Sequence, residues 1–396
     1  MDIIERISQK KSWEEFLEYK KSLGHLDRRE EKEWRFFIDE GGYRDFSLTD
    51  PLPLPVRGEI NKSGSSKKRV IYSFPEPFNR ILKGISFFLY RYDGIFCESC
   101  YAFRRNKGVG DAISRYRKLN GASSLWCLKA DISNYFNSLD VSLLIEKLSF
   151  LRREDERLFL LFRKLLENEY VNTPDGSTLR EEHGAMAGIP VAPFFANVYL
   201  SDVDEMFGTE RYFRYSDDIL LLAEDEEELI RLRDKLFSAL DAHGLKINEE
   251  KLHIYRPGEA VDFLGFSLYK QEVDLSGITK EKLKGKIRRR ARALRRWSTK
   301  KKLPGDRPAK GFIRAMNRKL YSSEGKDFSW ARWFFPYLTT DKSLHELDAY
   351  MEQYMRYCVT GRHYKGNYRI SYEELKDWGF RSLVHEWWEG KENRKE

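Results

Sequence analysis

Two groups of residues in this 396-residue chain could do metal-assisted chemistry. The first is Tyr215-Ser216-Asp217-Asp218, inside the run Phe213-Arg214-Tyr215-Ser216-Asp217-Asp218-Ile219-Leu220-Leu221-Leu222, which otherwise reads as two short apolar strands. Aspartate disfavours strand interiors, so a Ser-Asp-Asp break between apolar flanks predicts the tip of a β-hairpin. Taken alone, such a pair is ordinarily a solvated turn. The second group is Asp131, which ends the strand-like run Leu125-Trp126-Cys127-Leu128-Lys129-Ala130. A carboxylate at a strand end facing a carboxylate hairpin can clamp two cations ~3.5–4 Å apart. Mg²⁺ takes oxygen ligands and keeps positions open for substrate phosphates. One ion would activate a primer 3′-hydroxyl, and the other would neutralise a triphosphate and its departing pyrophosphate. Such transfer needs positioning and charge neutralisation more than covalent help. Asp131, Asp217 and Asp218 are therefore the candidate catalytic residues and metal ligands, with two Mg²⁺ ions, or Mn²⁺ in their place, as cofactor.

The elements that must carry these residues can be read on either side of them. Residues 1 to about 40 pattern as charged amphipathic helices anchored by Trp13, Phe16, Leu17, Trp34, Phe36 and Phe37. Pro51-Leu52-Pro53-Leu54-Pro55 predicts an extended spacer. A basic Gly64–Arg69 stretch enters a strand at Val70-Ile71-Tyr72-Ser73, and residues 79–92 pattern as a helix. The basic loop Phe103–Gly110 precedes a helix that Asp111 can cap, and Asp140 can cap another carrying Leu143, Leu144, Leu148 and Leu151. A helix is expected after Pro193, and an amphipathic one over 225–242 with Leu229, Leu232, Leu236 and Leu240 on one side, stopped by Gly244. Short strands are expected at 245–247 and 261–268, and everything beyond about 280 reads as helical.

A chain of this length, 41% hydrophobic and 14% aromatic, is globular and large enough for two or three subdomains. Its formal charge of +8 is unevenly spread. Lys280–Lys319 holds 18 Lys and Arg against 2 acids, a local +16 that leaves about −8 for the remainder. With Ile287, Leu294, Trp297, Phe312 and Tyr321 interleaved, that block is the expected footprint of a nucleic-acid backbone, and Arg288, Arg289, Arg292, Arg295 and Arg296 are its candidate contacts. No apolar run approaches ~20 residues, so no membrane partner is expected. The N-terminus lacks signal-peptide organisation, and Cys97, Cys100, Cys127 and Cys358 suit a reducing cytoplasm. Cys97 and Cys100 form a lone C-x-x-C without a second pair, so a structural zinc is not expected.

Across roughly residues 55 to 390 the chain resembles the bacterial reverse transcriptases. The strand ending in Asp131 resembles their motif A, Gly188-Ile189-Pro190 with Ala196-Asn197-Val198-Tyr199-Leu200 resembles motif B, and Tyr215-Ser216-Asp217-Asp218 matches motif C. Gly244–Asn248 with Lys251 resembles motif D, and Phe263-Leu264-Gly265-Phe266 resembles the primer-gripping hairpin of motif E. Lys68–Tyr72 and Tyr101–Arg104 resemble finger motifs of retron and intron relatives. The resemblance implies an α+β right-hand polymerase: an N-terminal helical extension over 1–50, fingers and an antiparallel-sheet palm over 51–275, and a basic helical thumb over 276–396. It implies metal ligation by Asp131, Asp217, Asp218 and the Ile132 carbonyl. It places Phe136 as a gate against a ribose 2′-hydroxyl, Lys68, Arg69 and Gly188 at the nucleotide, and Lys251 as proton donor to pyrophosphate. Arg104 and Arg105 would touch template, and Phe263 and Gly265 the primer.

Some positions depart from the family pattern. Ala187 stands where motif B usually has Gln, and Ala192-Pro193 where Ser-Pro is common. The Val-Thr-Gly hallmark of retron enzymes would fall at Phe263-Leu264-Gly265, Val359-Thr360-Gly361 is in another region, and no Asn-Ala-x-x-His element is found. No ribonuclease H carboxylate set, maturase extension or endonuclease module is read after the thumb. The chain is most similar to defence-associated, abortive-infection-like stand-alone reverse transcriptases. The resemblance therefore implies RNA-templated DNA synthesis from deoxynucleotides, with a cognate noncoding RNA as partner. Untemplated terminal transfer, RNA-templated RNA synthesis and an idle RNA-binding polymerase-fold scaffold are the alternatives.

Overall fold

The computed structural model describes residues 1–24, 26–44, 46, 51–61, 68–119, 121–303, 305–322 and 329–393. The chain divides into two units, Met1–Glu259 and Ala260–Glu396.

In the first unit the apolar stretches around the acidic residues become one antiparallel sheet. β1 (Val56–Asn61) and β2 (Lys68–Ser73) form a hairpin that β4 (Tyr170–Asn172) and β5 (Thr178–Arg180) extend, in the order β2-β1-β4-β5. β3 (Trp126–Asp131), β6 (Tyr212–Tyr215), β7 (Asp218–Ala223) and β8 (His253–Tyr255) form the second sheet, in the order β6-β7-β3-β8. β3 and β7 are almost wholly buried, which explains why they read as continuous apolar runs rather than as alternating ones. The helix Glu226–Ala242 packs on both, presenting Leu229, Leu236, Ala239 and Leu240, and Asp225 caps its first turn. Gly244 ends it in the left-handed region.

The three N-terminal helices, Ile3–Ile7, Lys10–Ser22 and Arg28–Asp39, share the core of this unit. Trp13, Phe16, Leu17, Trp34 and Phe37 are buried as expected. Phe36 is 68% exposed, because the apolar stripe of its helix runs through Trp34, Phe37 and Ile38 instead. Other expectations shift locally. The 79–92 helix is Phe78–Phe88 tightening into a 3₁₀ turn over Leu89–Ile95. Asp111 does not precede its helix; it sits in the first turn of Val109–Lys118 and accepts from the Gly108 N–H. No strand forms over 245–247, where a single bridge pairs Ile132 with Ile247.

In the second unit the expected strand over 261–268 is a hairpin, β9 (Val261–Phe263) and β10 (Phe266–Tyr269), continued by β11 (Glu272–Leu275). Leu264 and Gly265 both take positive φ at its turn, which is why one continuous strand cannot form. Ser276 then caps the 24-residue helix Gly277–Lys300. Leu283, Ile287 and Ala291 bury one stripe of it against the helices Arg307–Tyr321 and Lys342–Thr360, leaving Arg288, Arg289, Arg292 and Arg296 to face water. Asp348 accepts from Ser382 and from the Leu383 and Val384 N–H groups, pinning the C-terminal helix Leu383–Glu392 to Lys342–Thr360.

Candidate active site

The β6–β7 hairpin turns in two residues, Ser216 and Asp217, with Ser216 at φ 61°. A tight turn of this hand matches the twist of the flanking strands. β7 then pairs antiparallel with β3 in a register that sets Asp131 directly opposite Asp218. The Ile132 N–H donates to the Asp217 carbonyl at 3.0 Å, closing the turn onto the end of β3. All three carboxylates therefore lie at one end of the sheet. No hydrogen-bond donor among the described residues reaches the Ile132 carbonyl.

Asp131 is held from the motif D side. The Lys251 ammonium donates to its Oδ2 at 2.6 Å, and Asn248 Nδ2 to its Oδ1 at 3.3 Å. The Asn248 N–H donates to the Asp131 carbonyl and the Ser133 N–H to the Lys246 carbonyl. Burial raises the Asp217 carboxyl above its ordinary range, with the Asp131 charge adding to the shift. Burial and then the neighbouring Asp217 charge push Asp218 up to about 6, against the opposing pull of Lys129 and Lys251.

That donor set suits a hard divalent cation: every candidate ligand atom is oxygen, and among the described residues no ion pair reaches Asp217 or Asp218 to relieve their repulsion. Among the described residues no three His, Cys, Asp or Glu side chains close into a metal cage. The set is an open cluster in which the Lys251 ammonium supplies positive charge at Asp131.

The segment before Gly188, where the nucleotide is expected, ties three elements together. The Ala187 N–H donates to Asn137 Oδ1 at 2.8 Å, and the Tyr72 N–H donates to the Ala187 carbonyl at 2.7 Å. Asn137 Nδ2 donates to the Val70 carbonyl, so motif B, β2 and the residue after Phe136 form one joint. Gly188 has φ 107°, and a Cβ there would stand 2.8 Å from the Tyr72 carbonyl oxygen, so only glycine fits. Phe136 is partly buried, its carbonyl accepting from the Ala185 N–H. Lys68 and Arg69 are exposed on β2, Lys68 paired with Glu59 at 2.9 Å. Of the basic Gly64–Arg69 stretch, Gly64 to Lys67 lie outside the described residues.

Four expected nucleic-acid contacts are engaged within the protein itself. The Arg104 side chain is only 7% exposed, and its guanidinium donates to the carbonyls of Asp93 (2.7 Å), Cys97 (3.0 Å) and Cys100 (3.3 Å). Its Nη donors are committed to the loop rather than to template, and its Nε is buried. Phe263 is fully buried. Gly265 is the turn residue whose carbonyl accepts from Ser276 N–H and Thr279 Oγ1. Arg295 donates to the Cys358 and Val359 carbonyls, satisfying the end of the helix Lys342–Thr360. Arg105 is exposed, its guanidinium 5.2 Å from the Tyr19 ring centre, and Arg288, Arg289, Arg292 and Arg296 are exposed along their helix.

A buried polar network behind the hairpin escaped the sequence reading. Arg214 on β6 and Asp204 are both fully buried and bonded twice, Nε to Oδ1 at 2.6 Å and Nη2 to Oδ2 at 2.5 Å. Tyr212 donates to Asp204, and the Arg214 guanidinium also approaches Asn197 Oδ1, Cys100 Sγ and the Ser216 carbonyl. The signal was available: an arginine inside the apolar strand Tyr212-Phe213-Arg214-Tyr215 requires a buried partner.

This fold and site define a right-hand polymerase. The sequence matches the family described as reverse transcriptase (RNA-dependent DNA polymerase) over residues 60–268, more than half of its length, and the chain belongs to that family. It is 26% identical over 163 residues to the retron Ec86 reverse transcriptase of Escherichia coli, an alignment covering 40% of this chain and 46% of that protein. The chain thus matches less than half the length of this curated relative. Among solved structures it is similar to apo telomerase from Candida tropicalis (TM-score 0.45, 14% identity, 84% of this chain and 69% of that one). A second is telomerase from Candida albicans with a fragment of telomeric RNA (TM-score 0.44, 14% identity, 85% and 66%). Among the described residues no helix is long and apolar enough to cross a membrane.

Proposed function

We propose that the chain is an RNA-directed DNA polymerase that makes cDNA by two-metal nucleotidyl transfer, acting in the cytoplasm on a cognate noncoding RNA as part of antiphage defence. The observation that carries the polymerase reading is the register that sets Asp131 opposite Asp218, with Asp217 at the adjoining turn. Asp131, Asp217, Asp218 and the Ile132 carbonyl would hold two Mg²⁺ ions, which when bound supply the charge that activates a primer hydroxyl and stabilises pyrophosphate as it leaves. Lys68 and Arg69 bind the triphosphate, and Gly188 lets the deoxynucleotide approach the β2 joint. Phe136 excludes a 2′-hydroxyl by bulk and by offering it no hydrogen bond. Lys251, paired with Asp131, would give a proton to pyrophosphate.

The division into extension (1–50), fingers and palm (51–275) and thumb (276–396) belongs to this reading. The exposed face of the helix Gly277–Lys300, with Arg288, Arg289, Arg292 and Arg296, would take RNA backbone. The noncoding RNA and the defence role rest on the likeness of the chain to stand-alone defence reverse transcriptases. Primer extension tests the core of the proposal: the Asp217→Ala/Asp218→Ala protein should incorporate no deoxynucleotide, and wild-type speed in that protein would sink it.

Ala187 favours a second reading, untemplated terminal transfer. Its side chain is a methyl where relatives usually carry an amide, and both its backbone groups are already bonded. Product sequences that follow an added RNA support templated synthesis, and products of unrelated sequence support terminal transfer.

A further inference from the structure

Phe103 is an aromatic residue with φ 59°, a region non-glycine side chains rarely adopt, and it is 41% exposed. Its ring meets the Phe136 ring edge to face, with centroids 6.0 Å apart and planes at 72°. On the other side Phe136 meets Tyr135, at 5.7 Å and 61°. Tyr135 is buried and its hydroxyl donates to the Ala196 carbonyl, so that side is fixed. The second ring against Phe136 is the exposed Phe103.

The backbone around Phe103 is clamped from both directions. Before it, Asn197 Nδ2 donates to the Ala102 carbonyl at 2.8 Å, and the Tyr101 N–H to the Arg214 carbonyl at 2.9 Å. After it, the Arg104 guanidinium gathers the carbonyls of Asp93, Cys97 and Cys100. Five hydrogen bonds thus hold an unfavourable backbone conformation in place, and the result is a large apolar ring kept half in solvent against the gate. Strain maintained this way at a site calls for a functional reason.

We propose that Phe103 is a positioning residue for sugar selection: it props the Phe136 ring in the orientation that excludes a 2′-hydroxyl. The inference rests on the polymerase reading above and adds to it a second residue that sets the choice of deoxynucleotide. Without the Phe103 ring, Phe136 keeps Tyr135 on one side and gains rotamer freedom on the other, and a ribonucleotide finds room.

The test is steady-state primer extension with deoxynucleotide and ribonucleotide measured separately in wild type, Phe103→Ala, Phe103→Gly, Phe136→Ala and the Phe103→Ala/Phe136→Ala double variant. The kcat/KM preference for deoxynucleotide should fall about fivefold in Phe103→Ala, as loss of one aromatic pair allows, mainly through a lower KM for the ribonucleotide. Phe136→Ala should lose about a hundredfold, and the double variant should lose no more than Phe136→Ala, because Phe103 acts through that ring. Phe103→Gly removes the ring and relaxes the backbone. It should match Phe103→Ala in preference while melting higher, an outcome that a role in loop stability alone would not produce. A preference within about twofold of wild type in both Phe103 variants overturns the proposal, as does an undiminished Phe103→Ala effect in the Phe136→Ala background. If wild type incorporates no nucleotide at all, the polymerase reading fails and this proposal with it; incorporation with unchanged preference overturns this proposal alone.

Discussion

Replacing Arg214 by methionine should destabilise the first unit far more than any exposed charge change, and the size follows from its contacts. Arg214 and Asp204 have no exposed side-chain surface and meet through two hydrogen bonds of 2.5 and 2.6 Å. At an effective dielectric of about 20 such a pair attracts by ~4 kcal/mol. Arg214→Met leaves the Asp204 carboxylate buried with Tyr212 as its remaining side-chain donor among the described residues. Leaving one member of a buried pair uncompensated costs roughly 3–5 kcal/mol, which for a unit of this size lowers the melting temperature by about 10 °C. Replacing both residues with apolar ones of similar volume should recover most of that loss, because the desolvation cost of both charges disappears together. Chemical denaturation of wild type, Arg214→Met, Asp204→Leu and the double variant measures it. Polymerase turnover should fall in the same order, since the guanidinium also reaches the Ser216 carbonyl at the turn that presents Asp217. An Arg214→Met protein within about 1 kcal/mol of wild type, or a double variant weaker than both singles, would refute the reasoning.

Three further outcomes are expected. The Asp218 carboxyl sits at about 6 against an ordinary 3.8, so its contribution to stability is fully present below about pH 4 and is lost as pH rises through about 6, by about 3 kcal/mol in all. In the presence of a chelator, the urea midpoint of wild type should therefore drop between pH 4.5 and 7.5, and Asp218→Asn should remove most of that drop; equal pH slopes would contradict the burial of a charged carboxylate. On the second unit, alanine at Arg288, Arg289, Arg292 and Arg296 should weaken RNA binding in a filter assay and reduce its salt slope by about one per lost phosphate contact. Arg104→Ala should instead lower the melting temperature and leave the salt slope unchanged.

Much of the site was legible in the sequence because its chemistry is local. Two acids between apolar strands can only be a turn, and Asp131 closing an apolar run can only be a strand end, so hairpin and strand were both placed correctly. The helix over 225–242 was legible for the same reason, its cap, period and stopping glycine all lying within one segment. Basic side chains were less legible, because charge alone does not distinguish Arg105 in solvent from Arg104, whose Nη donors are taken by three carbonyls. Arg288 and Arg295 sit on one helix and differ only in whether the end of another helix lies beside them.

By itself the sequence determined that Asp131, Asp217 and Asp218 end or interrupt strands, that motif B carries Ala187 and that the positive charge is gathered in one block. The register decided what those residues do together, because a one-residue slip of β7 against β3 would turn Asp218 to the opposite face from Asp131. Tertiary structure also decided that Lys251 sits on Asp131, that Arg214 is buried on Asp204 and that Phe103 leans on Phe136. Local preferences set where the chain turns; only packing between distant segments sets which side chains meet.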